Sequence, residues 1–200
     1  VDYPVVYKAG VENYAYYESK GYDKQYSKDG VIWADYECTF PELSQNTTLY
    51  GHNWHNIYTP RTQANMQAND LMFSLVMSYN YTDFAQENPF VYFSTTEQDY
   101  VFQVFASYYT DLNFGYNYAQ MSQEDFQKVI AEAKAKSLSN YNVPVTSEDK
   151  IVTLSTCTRV HGNTNNQRFV VMAKLVPVGT PSTTISTHSN PIAYNSSIDA

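Results

Sequence analysis

The sequence predicts a mostly β fold organised as one main domain. Three observations carry that expectation. The chain has 200 residues, a comfortable length for a single hydrophobic core. Only 16% of them are charged, and the polarity comes instead from Asn, Ser, Thr, Gln and 20 Tyr. A mixture rich in aromatic and β-branched residues favours strands over helices. Short apolar runs of strand length, separated by turn-rich stretches, recur along the chain with no internal repeat.

Taken in order, Val5-Val6-Tyr7, Val31-Ile32-Trp33 and Thr47-Thr48-Leu49-Tyr50 read as strands. Near Asn69 the period changes. Leu71, Met72, Leu75, Val76 and Tyr79 recur at helical spacing, which predicts one amphipathic helix over about 69–87, ending before Asn88-Pro89. Phe90 to Ser94 and Tyr100 to Tyr109 resume strand character. A helix is then expected over about 122–138. Ser122 and Asp125 form a capping-box-like start, and Met121 and Phe126 stand at staple positions. Phe126, Val129, Ile130 and Ala133 line its apolar face, and Glu124–Lys128 and Glu132–Lys136 are favourably ordered i,i+4 pairs. After Pro144, Ile151 to Cys157 and Phe169 to Val176 are the most strand-like runs of all, joined by a polar loop. The main domain is placed at 1–176. The tail, 177–200, is rich in Ser, Thr, Pro and Asn, and reads either as an extended segment on the domain or as a flexible linker.

The balance of 12 basic and 20 acidic residues gives a net charge of −8 with no Lys/Arg cluster, so a nucleic-acid partner is not expected. There is no run of about 18 apolar residues and no signal-peptide pattern. Beginning at Val1 directly in a strand-like segment, the chain reads as an excised domain. Two cysteines, Cys38 and Cys157, are too few for a disulfide framework or a zinc site, and neither a metal nor a cofactor is expected.

Cys157 ends its strand, where alternation puts it on one face with Thr153 and Ser155. A thiol there, beside a polar loop, is well placed to meet a substrate, given a cationic or basic neighbour to activate it. His52 follows a strand and the turn residue Gly51, a position from which an imidazole can expel an amine leaving group. His55 and His161 remain alternatives by the same chemistry. Arg168 opens the strand after Cys157, on the face of Val170 and Met172, where a guanidinium can donate to a developing oxyanion.

Thr153-Leu154-Ser155-Thr156-Cys157 resembles the TLxTC signature of sortases, with Arg168 following by 11 positions. Tyr50-Gly51-His52-Asn53 resembles the family's histidine segment. Further similarity runs through Asp2-Tyr3-Pro4-Val5-Val6, Ala34-Asp35-Tyr36 and Glu148-Asp149-Lys150-Ile151, and covers roughly residues 2 to 176. The helix before the TLxTC strand resembles the extra helix of class B sortases. The resemblance implies an eight-stranded sortase-type β-barrel and a cysteine transpeptidase. Cys157 is then the nucleophile that forms a thioacyl intermediate, His52 the proton-transfer partner, and Arg168 the oxyanion donor with backbone N–H groups such as that of Thr158. Tyr50 and Ser155 match groove-lining positions. Cys38 stands where class B relatives carry Asn after an Asp-Tyr-x element, which would bring it near the pocket; a Cys38–Cys157 pairing would then make activity depend on reductant. The implied partners are a sorting-signal peptide of secreted surface proteins and an amine from a peptidoglycan precursor or a pilin lysine. The implied location is the outer face of a Gram-positive membrane, held by an anchor outside this chain. A sortase-like barrel acting as a surface binding module, and a hydrolytic cysteine protease, are the competing readings.

Overall fold

The computed structural model describes residues 2–198. Val1, at the head of the expected main domain, and Asp199 and Ala200, at the end of the tail, lie outside the described residues. Among the described residues, nine strands form two sheets. The larger is a curled sheet of seven strands in the order β1-β2-β3-β7-β8-β5-β4: β1 Val5–Val6, β2 Ile32–Ala34, β3 Asn46–Tyr50, β4 Phe90–Ser94, β5 Asp99–Asp111, β7 Ile151–Cys157 and β8 Gln167–Val176. The smaller pairs β6 Ser139–Tyr141 with β9 Ile185–Thr187. The expected mostly β, barrel-type architecture is thus realised as a curled sheet with a separate two-stranded ribbon.

The strands that looked strongest in sequence lie at the centre. β7 runs parallel to β3 on one side and antiparallel to β8 on the other. A strand with neighbours on both edges and both faces covered must be apolar or internally bonded throughout, and six of its seven residues are buried. The core beneath it gathers Phe102, Phe105, Tyr108, Phe126, Met77 and Phe169, each almost wholly removed from water. Each contributes about 1.5–3 kcal/mol of burial.

The helix expected at 122–138 is α2, Gln123–Lys136. Ser122 caps it, its hydroxyl accepting from the Asp125 N–H at 3.1 Å, and Phe126, Val129, Ile130 and Ala133 are buried as the period requires. The 69–87 segment departs from expectation. It is a 3-10 helix over Ser74–Asn80, a break at Tyr81 in extended backbone (φ −106°, ψ 130°), and a short α-helix, α1, over Thr82–Glu87. Of the residues that set the apolar period, Val76 and Tyr79 are buried, Met72 and Leu75 half-buried and Leu71 exposed. Tertiary packing overrides that period: the Tyr79 hydroxyl reaches past α1 to the Asn88 carbonyl at 2.6 Å, and Ser and Asn supply the local competition that weakens α-helix.

The tail is not a free linker. β9 pairs with β6, and beyond it the Ile192 N–H donates to the Ala135 carbonyl at 2.9 Å, laying the segment along the end of α2.

Candidate active site

Cys157 and Arg168 face one another as register partners across β7 and β8, so their Cα atoms stand roughly 4.5–5.5 Å apart and their side chains share one face. His52 is brought to the same end of the sheet by β3. Tyr50, the last residue of β3, is opposite Ser155. The Gly51 N–H then donates to the Ser155 carbonyl at 3.3 Å, the Thr156 hydroxyl donates to the Gly51 carbonyl at 2.7 Å, and the Asn53 amide reaches the Cys157 carbonyl at 3.4 Å. His52 sits between these anchors, beside the Cys157 end of β7. Gly51 is required there: a Cβ would lie 2.5 Å from Ile32 Cδ1 and 2.7 Å from Phe73 Cγ. The Phe73 N–H, in turn, donates to the His52 carbonyl at 3.0 Å.

The imidazole is held from three sides. Its ring stacks on Trp54 (centroids 5.3 Å apart) and lies 5.9 Å from Trp33. Its Nε2 bonds the backbone carbonyl of Glu18. A carbonyl can only accept, so Nε2 carries a proton and Nδ1 is the nitrogen that can exchange one.

Arg168 is half-buried and, among the described residues, has no carboxylate in ion-pair range. Its Nη1 donates to the carbonyls of Asn165 and Gln167, both at 2.9 Å. Nε and Nη2 remain for a substrate oxygen, the geometry that suits a guanidinium as an anion clamp. The Thr158 N–H, expected as a second oxyanion donor, is committed to the Gln167 carbonyl at 3.3 Å, and its hydroxyl donates to the Ile57 carbonyl. Strand pairing beyond Cys157 removes it from the site.

Tyr50 and Ser155, at positions the resemblance matches to a groove lining, hold hydrogen bonds within the fold. The Ser155 hydroxyl bonds the Tyr116 hydroxyl at 2.7 Å, with both side chains buried. The Tyr50 hydroxyl donates to Asp35 at 2.7 Å and accepts from the Asn117 amide at 2.9 Å. Asn46 adds bonds to the Tyr116 and Tyr118 carbonyls at 2.8 and 3.2 Å. Tyr50 and Ser155 thus hold the segment after β5 down on the catalytic face. Burial pushes the Tyr50 hydroxyl far up, and the Asp35 carboxylate nearby adds to it. Burial likewise raises the Asp35 carboxyl, opposed by bonds from the Glu37 N–H and Tyr50.

Cys38 is not with this group. It is 1% exposed, and its thiol bonds the Thr48 carbonyl at 3.9 Å. Thr48 pairs with Thr153, four residues before Cys157 and so about 13 Å away along the strand. Bridged cysteines need Cα atoms within about 7 Å, so a Cys38–Cys157 bond is not accessible to this fold, and both thiols are free. Nor do the alternative histidines join. His55 is exposed. His161 is wedged between Tyr109, edge-on at 4.8 Å, and Tyr194, stacked at 4.5 Å. Tyr109 packs on Phe169, on the sheet face opposite Arg168, and burial lowers the pKa of the His161 ring.

Residues that sequence reasoning missed are those whose partners lie far along the chain. Tyr116, Asn53 and the Glu18 carbonyl have no local signature, although Asn53 stood inside the Tyr-Gly-His-Asn segment.

A thiol, an imidazole and a guanidinium thus stand at one end of a curled β-sheet on a barrel-type fold. The sortase domain model matches residues 2–176, and the chain belongs to the sortase family. It is 29% identical over 179 residues to Sortase B of Staphylococcus aureus (strain NCTC 8325 / PS 47), covering 89% of this chain and 66% of that protein. It is 28% identical over 177 residues to Sortase B of Listeria monocytogenes, covering 88% and 65%. This chain therefore spans just under two thirds of the length of those relatives. Among solved structures it is similar to a Staphylococcus aureus sortase B–substrate complex, with a TM-score of 0.71, 28% identity, and coverage of 88% of this chain and 74% of that one. Clostridium perfringens sortase B gives a TM-score of 0.70 at 26% identity, covering 88% and 87%. The class B likeness read from the sequence agrees with these relatives.

Proposed function

We propose that this chain is a cysteine transpeptidase that cleaves a sorting signal and transfers its acyl group to an amine. The observation that carries the reading is the register pairing of Cys157 with Arg168, at the sheet end where His52 is pinned. The Cys157 thiolate attacks the scissile carbonyl carbon, and the oxygen takes up the charge against the free N–H groups of Arg168. His52 enters this step as the imidazolium, having taken the Cys157 thiol proton on Nδ1, and as the C–N bond breaks it gives that proton to the departing amine, leaving a thioester on Cys157. An incoming amine attacks the thioester, His52 takes the amine's proton, and the C–S bond breaks to return the thiolate. Peptidoglycan precursor and pilin amines both fit this step. Such a reaction belongs at the outer face of a Gram-positive membrane; no helix among the described residues is long and apolar enough to cross one.

The test is a fluorogenic peptide of the NPxTx or LPxTG type, with and without an amine acceptor. The wild-type chain should cleave one type and, with the amine, yield the ligated product by mass spectrometry. Arg168→Ala should lower kcat by about 10²–10³. Cleavage that gives acid alone, whatever amine is supplied, would leave a hydrolase and sink the transfer reading.

A further inference from the structure

The C-terminal segment makes more specific contacts than a tail needs. After β9, the His188 N–H donates to the Leu138 carbonyl at 3.0 Å, and its Nδ1–H to the Ser137 carbonyl at 2.7 Å. Lys136 then receives the chain. This lysine is 2% exposed, and its ammonium donates to the carbonyls of Ala193 (3.3 Å), Tyr194 (3.0 Å) and Ser196, with Glu132 at 3.4 Å as counter-charge. A buried ammonium needs partners of this kind, so these tail carbonyls are part of what allows Lys136 to be inside.

The grip on residues 193–196 delivers Tyr194 to the loop between Cys157 and Arg168. Its ring lies flat on His161, with centroids 4.5 Å apart and planes 9° apart, and Tyr109 closes the other side. The backbone N–H of His161 donates to Gln167 Oε1 at 3.0 Å. The Gln167 amide, buried within the loop, donates to the Gly162 carbonyl and the Thr164 hydroxyl, both at 2.7 Å. The loop is thereby organised around one side chain. Its carbonyls, at Asn165 and Gln167, are the two that hold Nη1 of Arg168. One line of contacts therefore runs from Lys136 through Tyr194, His161 and Gln167 to the guanidinium.

We infer that the C-terminal segment is a strap that positions Arg168, with Lys136 as its anchor and with Tyr194 and His161 as positioning residues that touch no substrate. The inference rests on the role proposed above for Arg168. Losing the stack releases the 158–167 loop, and Arg168 then meets the oxyanion less often in the productive geometry. The cost falls on kcat, because the guanidinium acts where charge develops, not where the ground-state peptide binds.

The experiment uses the full chain with Tyr194→Ala and Tyr194→Phe, reading hydrogen exchange across residues 158–167 alongside kcat and KM for peptide cleavage. Tyr194→Ala should speed exchange in that loop and lower kcat about three- to tenfold, the range a lost aromatic pair supports, with KM within about twofold. Tyr194→Phe keeps the ring and should match wild type in both. Should Tyr194→Ala melt early, His161→Ala removes the same stack from the loop side and is read identically. Unchanged loop exchange in Tyr194→Ala overturns the strap. So does a freed loop with undiminished kcat, or a Tyr194→Phe variant as impaired as Tyr194→Ala. A wild-type chain that cleaves no peptide, while Tyr194→Ala still frees the loop, overturns the activity and the strap's catalytic role together, and leaves the clamp itself supported.

Discussion

The surroundings of the two thiols differ more than any local sequence feature announces. Cys157 ends a strand, half-exposed, with a guanidinium as its register partner and an imidazole held on the neighbouring loop. Cys38 lies behind β3, sealed from water, with its thiol on the Thr48 carbonyl. Burial pushes its pKa up to about 12, and the nearby Asp35 and Glu37 carboxylates add to that against the bond to Thr48. A thiolate is the reactive form of cysteine, so burial disfavours reaction at Cys38, whereas the proposed mechanism places the nucleophile at Cys157. Under that proposal, placement beside a cation, and not the thiol itself, confers the chemistry.

The comparison breaks most visibly by substitution. Cys157→Ala should lower peptide cleavage by at least about a thousandfold, whereas Cys38→Ala should leave turnover at wild-type level and cost about 1 kcal/mol of stability in urea unfolding. Equal losses of activity from both would place Cys38 in the site after all.

The same contrast recurs between two lysines of α2, with a smaller expected effect. Lys128 pairs with Glu124 at 3.1 Å in the open, and such pairs contribute about 0.3–0.5 kcal/mol. Lys136 pairs with Glu132 at 3.4 Å with both side chains nearly buried. Lys136→Met should therefore destabilise by about 3 kcal/mol, because Glu132 and the tail carbonyls lose their partner, while Lys128→Met stays within about 0.5 kcal/mol. Similar melting curves for the two variants would show that the strap carries no weight in folding.

The smallest effect is the dependence on pH. Cys38 ionises near 9 when unfolded and near about 12 when folded. The folded chain therefore holds its proton more tightly. That contribution is complete below pH 9 and is lost as pH rises from 9 towards 12. Chemical unfolding at pH 8, 9 and 10 should show a steeper loss of stability in wild type than in Cys38→Ala. Parallel slopes would mean that Cys38 keeps an ordinary thiol environment.

Much of this was legible beforehand, for reasons that differ by element. β7 is legible because its run from Ile151 to Cys157 is rich in β-branched residues with no Gly or Pro, and α2 because its cap and its apolar face are local. The helix expected at 69–87 was misread because period alone does not separate an α-helix from a 3-10 turn followed by a short α-helix. The hydroxyls of Tyr50 and Ser155, at positions the resemblance matches to a groove lining, meet Asn117 and Tyr116, 67 and 39 residues away, and no short pattern encodes such a pairing. β6 and β9 went unread because two three-residue strands separated by more than forty positions carry almost no periodic signal.

The sequence by itself determined the mostly β class, the strand that bears Cys157, the spacing to Arg168 and the family likeness, because each is written in residues adjacent along one element. Only the tertiary structure decided which histidine stands at the Cys157 end of the sheet, which thiol is exposed and where the tail packs. Those outcomes depend on contacts such as Thr156 with Gly51, 105 positions apart, and Lys136 with Ser196, 60 positions apart. Such contacts exist once the sheet has curled and the chain has closed over it.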